Sequence, residues 1–184
     1  MYRGPEIDDP EILERLPDPL RRRIEDGNGF VAYDGGLHVR GACREPAWHS
    51  LREAWLGDDA FHRHYQALGA GDVPFAEDAV GDQWLLRGDD IIRLLAETGD
   101  VESLGLNVDA FFAAVEADPV ETLGLHPLLQ LQREGGRLEP GQLINVYPPF
   151  CTKEAADGVS LRAVPARERH VFLRDLAAQL SRLE

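Results

Sequence analysis

Short apolar runs that alternate with glycine-aspartate turns mark the middle of this sequence. Residues 73–75 (VPF) lead into an acidic turn that contains Gly81-Asp82, and residues 84–86 (WLL) follow it. A second turn, Gly88-Asp89-Asp90, precedes the apolar run 91–95. Short runs of this kind, separated by tight turns, are typical of strands that pair as antiparallel hairpins. The pattern therefore predicts neighbouring hairpins between residues 73 and 95.

Further short strands are predicted on both sides of this block. Residues 30–32 and 37–39 flank the turn sequence Tyr33-Asp34-Gly35-Gly36, which predicts another hairpin. Strands are also predicted near residues 101–104, over 143–147 and over 160–164.

Capping residues and apolar spacing predict the helices. Asp18 is a suitable N-cap, and Pro19 a suitable first residue, for a helix over residues 19–26. Asn107 is a suitable cap for an amphipathic helix that Asp118-Pro119 ends. Three more helices are predicted from apolar stripes: Trp48, Leu51 and Trp55; Phe61, Tyr65 and Leu68; and Phe172, Leu176 and Leu180 within residues 166–182.

The order of these segments predicts an α+β fold with a twisted, mainly antiparallel sheet and flanking helices. Strands and helices do not alternate regularly, as they would in a parallel sheet. A length of 184 residues favours a single domain over residues 1–184 and is sufficient to bury a substantial core.

The net charge of −14 restricts the partners of the chain. An acidic surface repels nucleic acid and anionic membranes, since both bind through basic contacts. It favours a basic protein partner, or serves solubility alone. The first ten residues lack the apolar segment of a secretory signal, and Cys43 and Cys151 are far apart in sequence. These features predict reduced thiols and a cytoplasmic location.

The acidic turn offers three alternative interpretations. Glu77, Asp78 and Asp82 could bind a hard cation through their clustered oxygens, although their spacing fits no EF-hand loop. They could form a binding surface for a partner. In the structural interpretation, which we favour, Asp82 accepts hydrogen bonds from nearby backbone N–H groups and Gly81 supplies the unusual backbone angle.

No motif for catalysis or for a cofactor is found elsewhere. The six histidines show no zinc spacing, and the sequence contains no P-loop, no nucleophile elbow and no dinucleotide-binding glycine motif. Cys151 would need a base and an electropositive setting to act as a nucleophile, and an idle thiol is the more common case. We therefore predict no catalytic residues, no bound metal and no cofactor.

Two stretches resemble the SUKH superfamily (SMI/KNR-like proteins). The run LPDPLRRRIEDGNGF is similar to its opening, a proline-started helix that leads through an Asn-Gly turn into the first strand. The runs DVPFAEDAVGDQWLL, RGDDIIRLL and NVDAFFAAV resemble its central block in the same order. The resemblance covers about residues 15–117 and leaves about 118–184 as a C-terminal extension.

The resemblance implies a binding scaffold rather than an enzyme. Many bacterial members of this family are immunity proteins that neutralise toxins, nucleases among them. The expectation is a cytosolic, non-enzymatic protein that binds a basic toxin domain, with Glu77, Asp78 and Asp82 as the nearest acidic contacts and Trp48, Trp55 and Trp84 mainly in the core. Two alternatives stay open: a metal-dependent enzyme or small-molecule binder that uses the same carboxylates, and a regulatory scaffold protein.

Overall fold

Seven antiparallel strands form the main sheet of the computed structural model, which describes residues 1–183. They lie side by side in the order in which they occur along the chain. The strands are β1 (Tyr2–Arg3), β2 (Phe30–Ala32), β3 (Leu37–Val39), β4 (Val73–Asp78), β5 (Gln83–Arg87), β6 (Asp90–Leu95) and β7 (Asp100–Ser103). The predicted α+β class with an antiparallel sheet is confirmed, as are the hairpins between residues 30 and 95.

Seven helices and a second, two-stranded sheet complete the described part of the chain. The helices are α1 (Pro10–Glu14), α2 (Asp18–Glu25), α3 (Leu51–Leu56), α4 (Val108–Ala117), α5 (Pro119–Leu123), α6 (His126–Arg133) and α7 (Ala166–Leu180). The second sheet is the antiparallel hairpin of β8 (Gln142–Tyr147) and β9 (Ser160–Pro165). It is joined to the main sheet by a 2.7 Å hydrogen bond from the Ile144 N–H to the Ala79 carbonyl.

Local capping chemistry fixes the ends of α4 and α5. The Asn107 side chain accepts a 2.9 Å hydrogen bond from the Ala110 N–H, as predicted for a helix start. Asp118 ends α4 and also caps α5 by accepting from the Glu121 N–H, while Pro119 stands at the first position of α5. Asp118-Pro119 therefore ends α4 as predicted, and α5 begins directly at Pro119.

The two faces of the main sheet bury different helices. On one face, Phe75, Trp84 and Ile91 pack with Phe111 of α4, whose ring lies edge-on to that of Phe75 with centroids 5.7 Å apart. On the other face, a second cluster includes Leu85, Ile92 and Leu94 together with Leu173 and Ala177 of α7. Burying both faces gives the sheet two apolar layers, since strand side chains alternate between the faces.

Two helix predictions are wrong in their details. The segment predicted as a helix from Phe61, Tyr65 and Leu68 forms only a 3-10 turn at Phe61–Arg63, although all three side chains are buried. Trp48 lies in the loop before α3, which begins at Leu51 with the Ser50 side chain as its cap. Apolar spacing marked the buried residues correctly here, but an irregular segment can also bury side chains at that spacing.

The buried face of α7 also differs from the prediction. Phe172 was placed on the apolar face but is 39% exposed, whereas Leu173 and Ala177 are buried. The helix also buries Arg169, whose guanidinium donates to the Val80 carbonyl and to Glu97. A helix whose buried face carries a charged residue cannot be oriented from its apolar pattern alone.

Among residues 1–183, no helix combines the length and the apolar character that crossing a membrane requires.

Candidate functional site

Asp78, and not Asp82, holds the acidic turn between β4 and β5. One oxygen of Asp78 accepts hydrogen bonds from the N–H groups of Val80 (2.9 Å), Gly81 (2.9 Å) and Asp82 (3.0 Å). Gly81 has a φ of 101°, the left-handed geometry predicted for it. The prediction that a carboxylate and Gly81 form the turn is confirmed, but its assignment to Asp82 is corrected, because the acceptor lies at the start of the turn.

Asp82 instead links the turn to β6. Its carboxylate accepts from the Ala96 N–H at 2.9 Å and from Arg93 at 2.8 Å, and Arg93 also lies 3.3 Å from Asp78. Burial and the neighbouring Asp82 carboxylate raise the pKa of Asp78, although Arg93 opposes this shift. The hydrogen bonds of Asp78 and Asp82 therefore fix the turn to the neighbouring strands of the sheet.

Glu77 points to the opposite face of the sheet, where four side chains surround its carboxylate. One oxygen accepts from His38 at 2.7 Å. The other accepts from Arg40 at 2.9 Å, from Gln83 at 3.1 Å and from His170 at 2.8 Å. The side-chain amide oxygen of Gln83 in turn accepts from Arg40 at 2.8 Å, so that the five side chains form one network.

Strand register brings three of these residues together. His38 lies opposite Glu77 in the β3–β4 pair, and Gln83 lies opposite Glu77 in the β4–β5 pair. Arg40 follows His38 by two residues, which places both side chains on one face of an extended chain. His170 comes from α7, far away in sequence, and covers the network from above.

The network keeps Glu77 ionised. Burial on its own would raise the pKa of Glu77, but the charge of Arg40 and the hydrogen bonds from His170 and His38 outweigh it and lower the pKa well below its usual range. Glu77 is 1% exposed and Arg40 is also 1% exposed. An ion pair this deeply buried is tolerated because other donors satisfy the remaining lone pairs of the carboxylate.

A chain of hydrogen bonds extends the network through two histidines. His38 Nε2 lies 2.9 Å from His49 Nδ1, and His49 Nε2 lies 2.8 Å from the Asn28 carbonyl. Glu77 at one end and the carbonyl at the other both accept, so three hydrogen bonds need three protons, whereas two neutral imidazoles supply two. Burial opposes the third proton, because it lowers the pKa of His38 and lowers that of His49 to about 4.

A cavity of about 390 Å³ lies above the network, between α3, the 58–65 segment and α7. Arg40 and His170 reach it from below, and the aromatic side chains Trp48, Phe61 and Tyr65 form its walls. Trp55 and Trp84 are core residues as predicted, whereas Trp48 is only partly buried. The cavity has the volume of a small-molecule site. Charged side chains also line it, among them Asp59 and Arg174.

The three carboxylates predicted to contact a partner lie inside the protein. Glu77 is 1% exposed, Asp78 is 2% exposed, and the Asp82 side chain is 13% exposed. The structure brings Asp78 and Asp82 together through Arg93, and places Glu77 in the separate network. In this conformation Glu77 and Asp78 offer no surface to a macromolecular partner.

The sequence interpretation missed His38, Arg40 and His170. The spacing of His38 and Arg40, at alternate positions beside a predicted strand, was a detectable signal of a polar strand face. Nothing local pointed to His170, because its partner Glu77 comes from another element.

Metal-binding and thiol chemistry gain no support within residues 1–183. These residues contain no group of three or more histidine, cysteine or acidic side chains arranged to hold a metal ion. Burial and the nearby Glu97 carboxylate raise the pKa of the Cys151 thiol, which disfavours the reactive thiolate.

Comparisons with protein-family models, with curated proteins and with solved structures gave no significant match.

Proposed function

We propose that this chain is a non-enzymatic binding protein that captures a basic protein partner. We further propose that the partner is a toxin domain and that the chain acts as an immunity protein, as the resemblance to the SUKH superfamily implies. The α+β class with an antiparallel sheet supports this proposal only at the level of fold class. A regulatory scaffold would differ from it in the identity of the partner.

The distribution of charge carries the proposal. Five buried carboxylates pair with four arginines: Asp9 with Arg52, Asp72 with Arg87, Glu77 with Arg40, and Asp78 and Asp82 with Arg93. These contacts use arginines that could otherwise balance surface carboxylates. Most of the net charge of −14 therefore lies on the exposed surface, where it can steer a basic partner.

The junction of α4 and α5 is one dense part of this acidic surface. Glu116, Asp118 and Glu121 are exposed within six residues of sequence. Among residues 1–183, no lysine or arginine lies within 4 Å of these carboxylates, and His126 lies 3.9 Å from Glu121. We use this acidic junction, in place of the buried turn, as the partner contact to be tested.

The direct test is co-expression with a basic domain encoded beside the gene. A one-to-one complex that suppresses the toxicity of that domain would support the proposal, and its association rate should fall steeply with added salt. The absence of both a basic partner and a neighbouring toxin gene would contradict it.

Charge reversal then locates the contact. Glu116→Lys with Glu121→Lys should weaken the complex by about tenfold or more, because like charges across an interface repel. Glu154→Lys with Asp157→Lys changes the net charge by the same amount at another exposed site and serves as the matched control. Equal effects of the two pairs would show steering by overall charge without a contact at the acidic junction.

A further inference from the structure

Three side chains meet at the floor of the cavity: Arg40, His170 and Phe61. The Arg40 guanidinium carbon lies 5.4 Å from the centre of the Phe61 ring. The rings of Phe61 and His170 meet edge-to-face with centroids 5.4 Å apart. All three side chains line the same cavity. The floor is therefore built by the residue that follows β3, by the 3-10 turn and by α7.

Arg40 retains a free donor although it is 1% exposed. Its Nη1 donates to the Pro74 carbonyl, and its Nη2 donates to Glu77 and Gln83. Within residues 1–183, its Nε–H has no acceptor. A buried guanidinium that borders a cavity with an unused N–H group is well suited to bind an acceptor placed in that cavity.

His170 also has one ring nitrogen without a partner among the described residues. Its Nε2 contacts Glu77 at 2.8 Å, and Nδ1 has no partner in the described part of the chain. The two oxygens of Glu77 are occupied by His38, Arg40, Gln83 and His170. The Glu77 oxygens are therefore already occupied, whereas Arg40 Nε and His170 Nδ1 are available to a ligand.

The mouth of the cavity carries both signs of charge. Arg167 on the α7 side is exposed and has no carboxylate within 4 Å among residues 1–183, and Arg174 pairs with Asp59. Glu53 and Asp58 on the opposite side are exposed, so that solvent and salt screen them. The exposed charges near the mouth are therefore screened, and an anion at the floor would meet the free donor of Arg40, whose charge is already paired with Glu77.

We propose that the cavity binds a small organic anion: a carboxylate carried on a planar, apolar body. The carboxylate accepts from the Arg40 Nε–H, and from the His170 Nδ1–H when both ring nitrogens of His170 carry a proton. The planar body packs against Phe61 and Tyr65. Charge-assisted hydrogen bonds in a site with apolar walls give such a ligand both orientation and affinity. This activity goes beyond the proposed function and needs no protein partner.

The test uses benzoate as the probe and the purified chain alone. Calorimetric titration at neutral pH should give saturable one-to-one binding, and benzoate should raise the melting temperature as a native-state ligand does. Benzamide has the same shape without the charge, and benzylamine carries the opposite charge. Both should bind at least about tenfold more weakly, since a hydrogen bond to a charged group contributes about that factor.

Two variants with matched controls locate the site. Ala54→Leu places a larger side chain in the cavity and should abolish benzoate binding, whereas Ala113→Leu makes the same change on the exposed side of α4. His170→Gln keeps a donor for Glu77, removes the free ring nitrogen and should weaken binding about tenfold. His126→Gln is its control, at an exposed histidine.

Failure of benzoate to bind the wild-type chain saturably would overturn the proposal. Binding of benzylamine or benzamide as tight as that of benzoate would also overturn it, and so would unchanged binding by Ala54→Leu. Circular dichroism establishes that each variant is folded, and Ala54→Leu decides the outcome if His170→Gln does not fold. Because no partner protein is present, failure here leaves the proposed immunity function untouched.

Discussion

The sheet face beneath α7 has two halves of opposite chemistry. In one half, His38, Arg40 and Glu77 form a buried network under His170. In the other half, apolar side chains of β5 and β6, among them Leu94, pack under Leu173 and Ala177. The same helix covers both halves. The cavity lies above the polar half, and Phe61 and Tyr65 of the apolar cluster form part of its wall.

The comparison teaches that the two halves depend on different interactions. The apolar half gains from burial, which is non-directional and roughly proportional to area. The polar half is stable only while every buried charge keeps its partner. Substitutions that are equally conservative in size should therefore have different consequences in the two halves.

Glu77→Gln should cause the largest loss of stability. The change keeps the size of the side chain but leaves the buried Arg40 without a counter-charge, which costs about 3–5 kcal/mol of unfolding free energy. Urea denaturation monitored by tryptophan fluorescence measures the loss. A cost below about 1 kcal/mol would show that the ion pair is not required.

A double-variant cycle separates the pair from its surroundings. Arg40→Met combined with Glu77→Gln should be less destabilising than the sum of the two single changes, because the second substitution removes the uncompensated charge. Additive effects would mean that Arg40 and Glu77 act independently.

Leu94→Ala probes the apolar half and should cost about 3 kcal/mol. Leu94 is fully buried, so the change removes apolar contacts and leaves a cavity. Combining Leu94→Ala with Glu77→Gln then measures the coupling between the two halves, because Gln83 lies opposite both residues in the strand pairs. Strong non-additivity would show that the two halves behave as one unit.

Lowering the pH from 6.5 to 4 should reduce the free energy of unfolding by up to about 3 kcal/mol through His49 in the polar half. Burial and the nearby His38 lower the pKa of His49 to about 4, below the ordinary value near 6.5 that it regains on unfolding. The unfolded chain therefore binds more protons between pH 6.5 and 4, and the unfolding free energy falls as the pH is lowered through this window.

The pH effect is assigned by comparing His49→Gln with wild type. Subtracting the two stability profiles removes the contributions of other groups, including Asp78, whose raised pKa acts in the opposite direction. The wild-type chain should lose more stability between pH 6.5 and 4 than His49→Gln does, with His126→Gln as the control. The reverse order would mean that the folded chain already holds the third proton of the histidine chain.

Phe172→Ala should have the smallest effect, below about 1 kcal/mol. Phe172 is 39% exposed, and its ring lies under the Arg169 guanidinium at 5.4 Å, so the change removes only a surface contact. Leu173→Ala, one residue further, should cost about 3 kcal/mol by thermal or urea denaturation. Equal losses of unfolding free energy would support the orientation predicted from the sequence, in which Phe172 lies on the buried face.

Local signals explain how much of the fold was predictable. The turns at Gly81 and Gly88 and the cap at Asn107 depend on residues within a few positions of each other, so each could be read from a short window. The orientation of α7 and the irregular segment after α3 could not be predicted in this way. Both depend on contacts with parts of the chain that are distant in sequence.

The candidate site was predictable only in part. The sequence predicts a structural acidic turn but assigns its acceptor to Asp82 instead of Asp78, because both carry the same side chain within one turn. Glu77 was grouped with them by proximity in sequence. Its position next to Asp78 on a strand, however, sends the two side chains to opposite faces.

The sequence by itself determined the class of the fold, the hairpins of the main sheet and the acidic character of the surface, since each follows from local pattern or composition. The tertiary structure alone decided that Glu77 meets Arg40, His38 and His170 beneath a cavity, since these residues come from three different elements. Strand register and the packing of α7 bring them together, and both result from burial of apolar surface along the whole sheet.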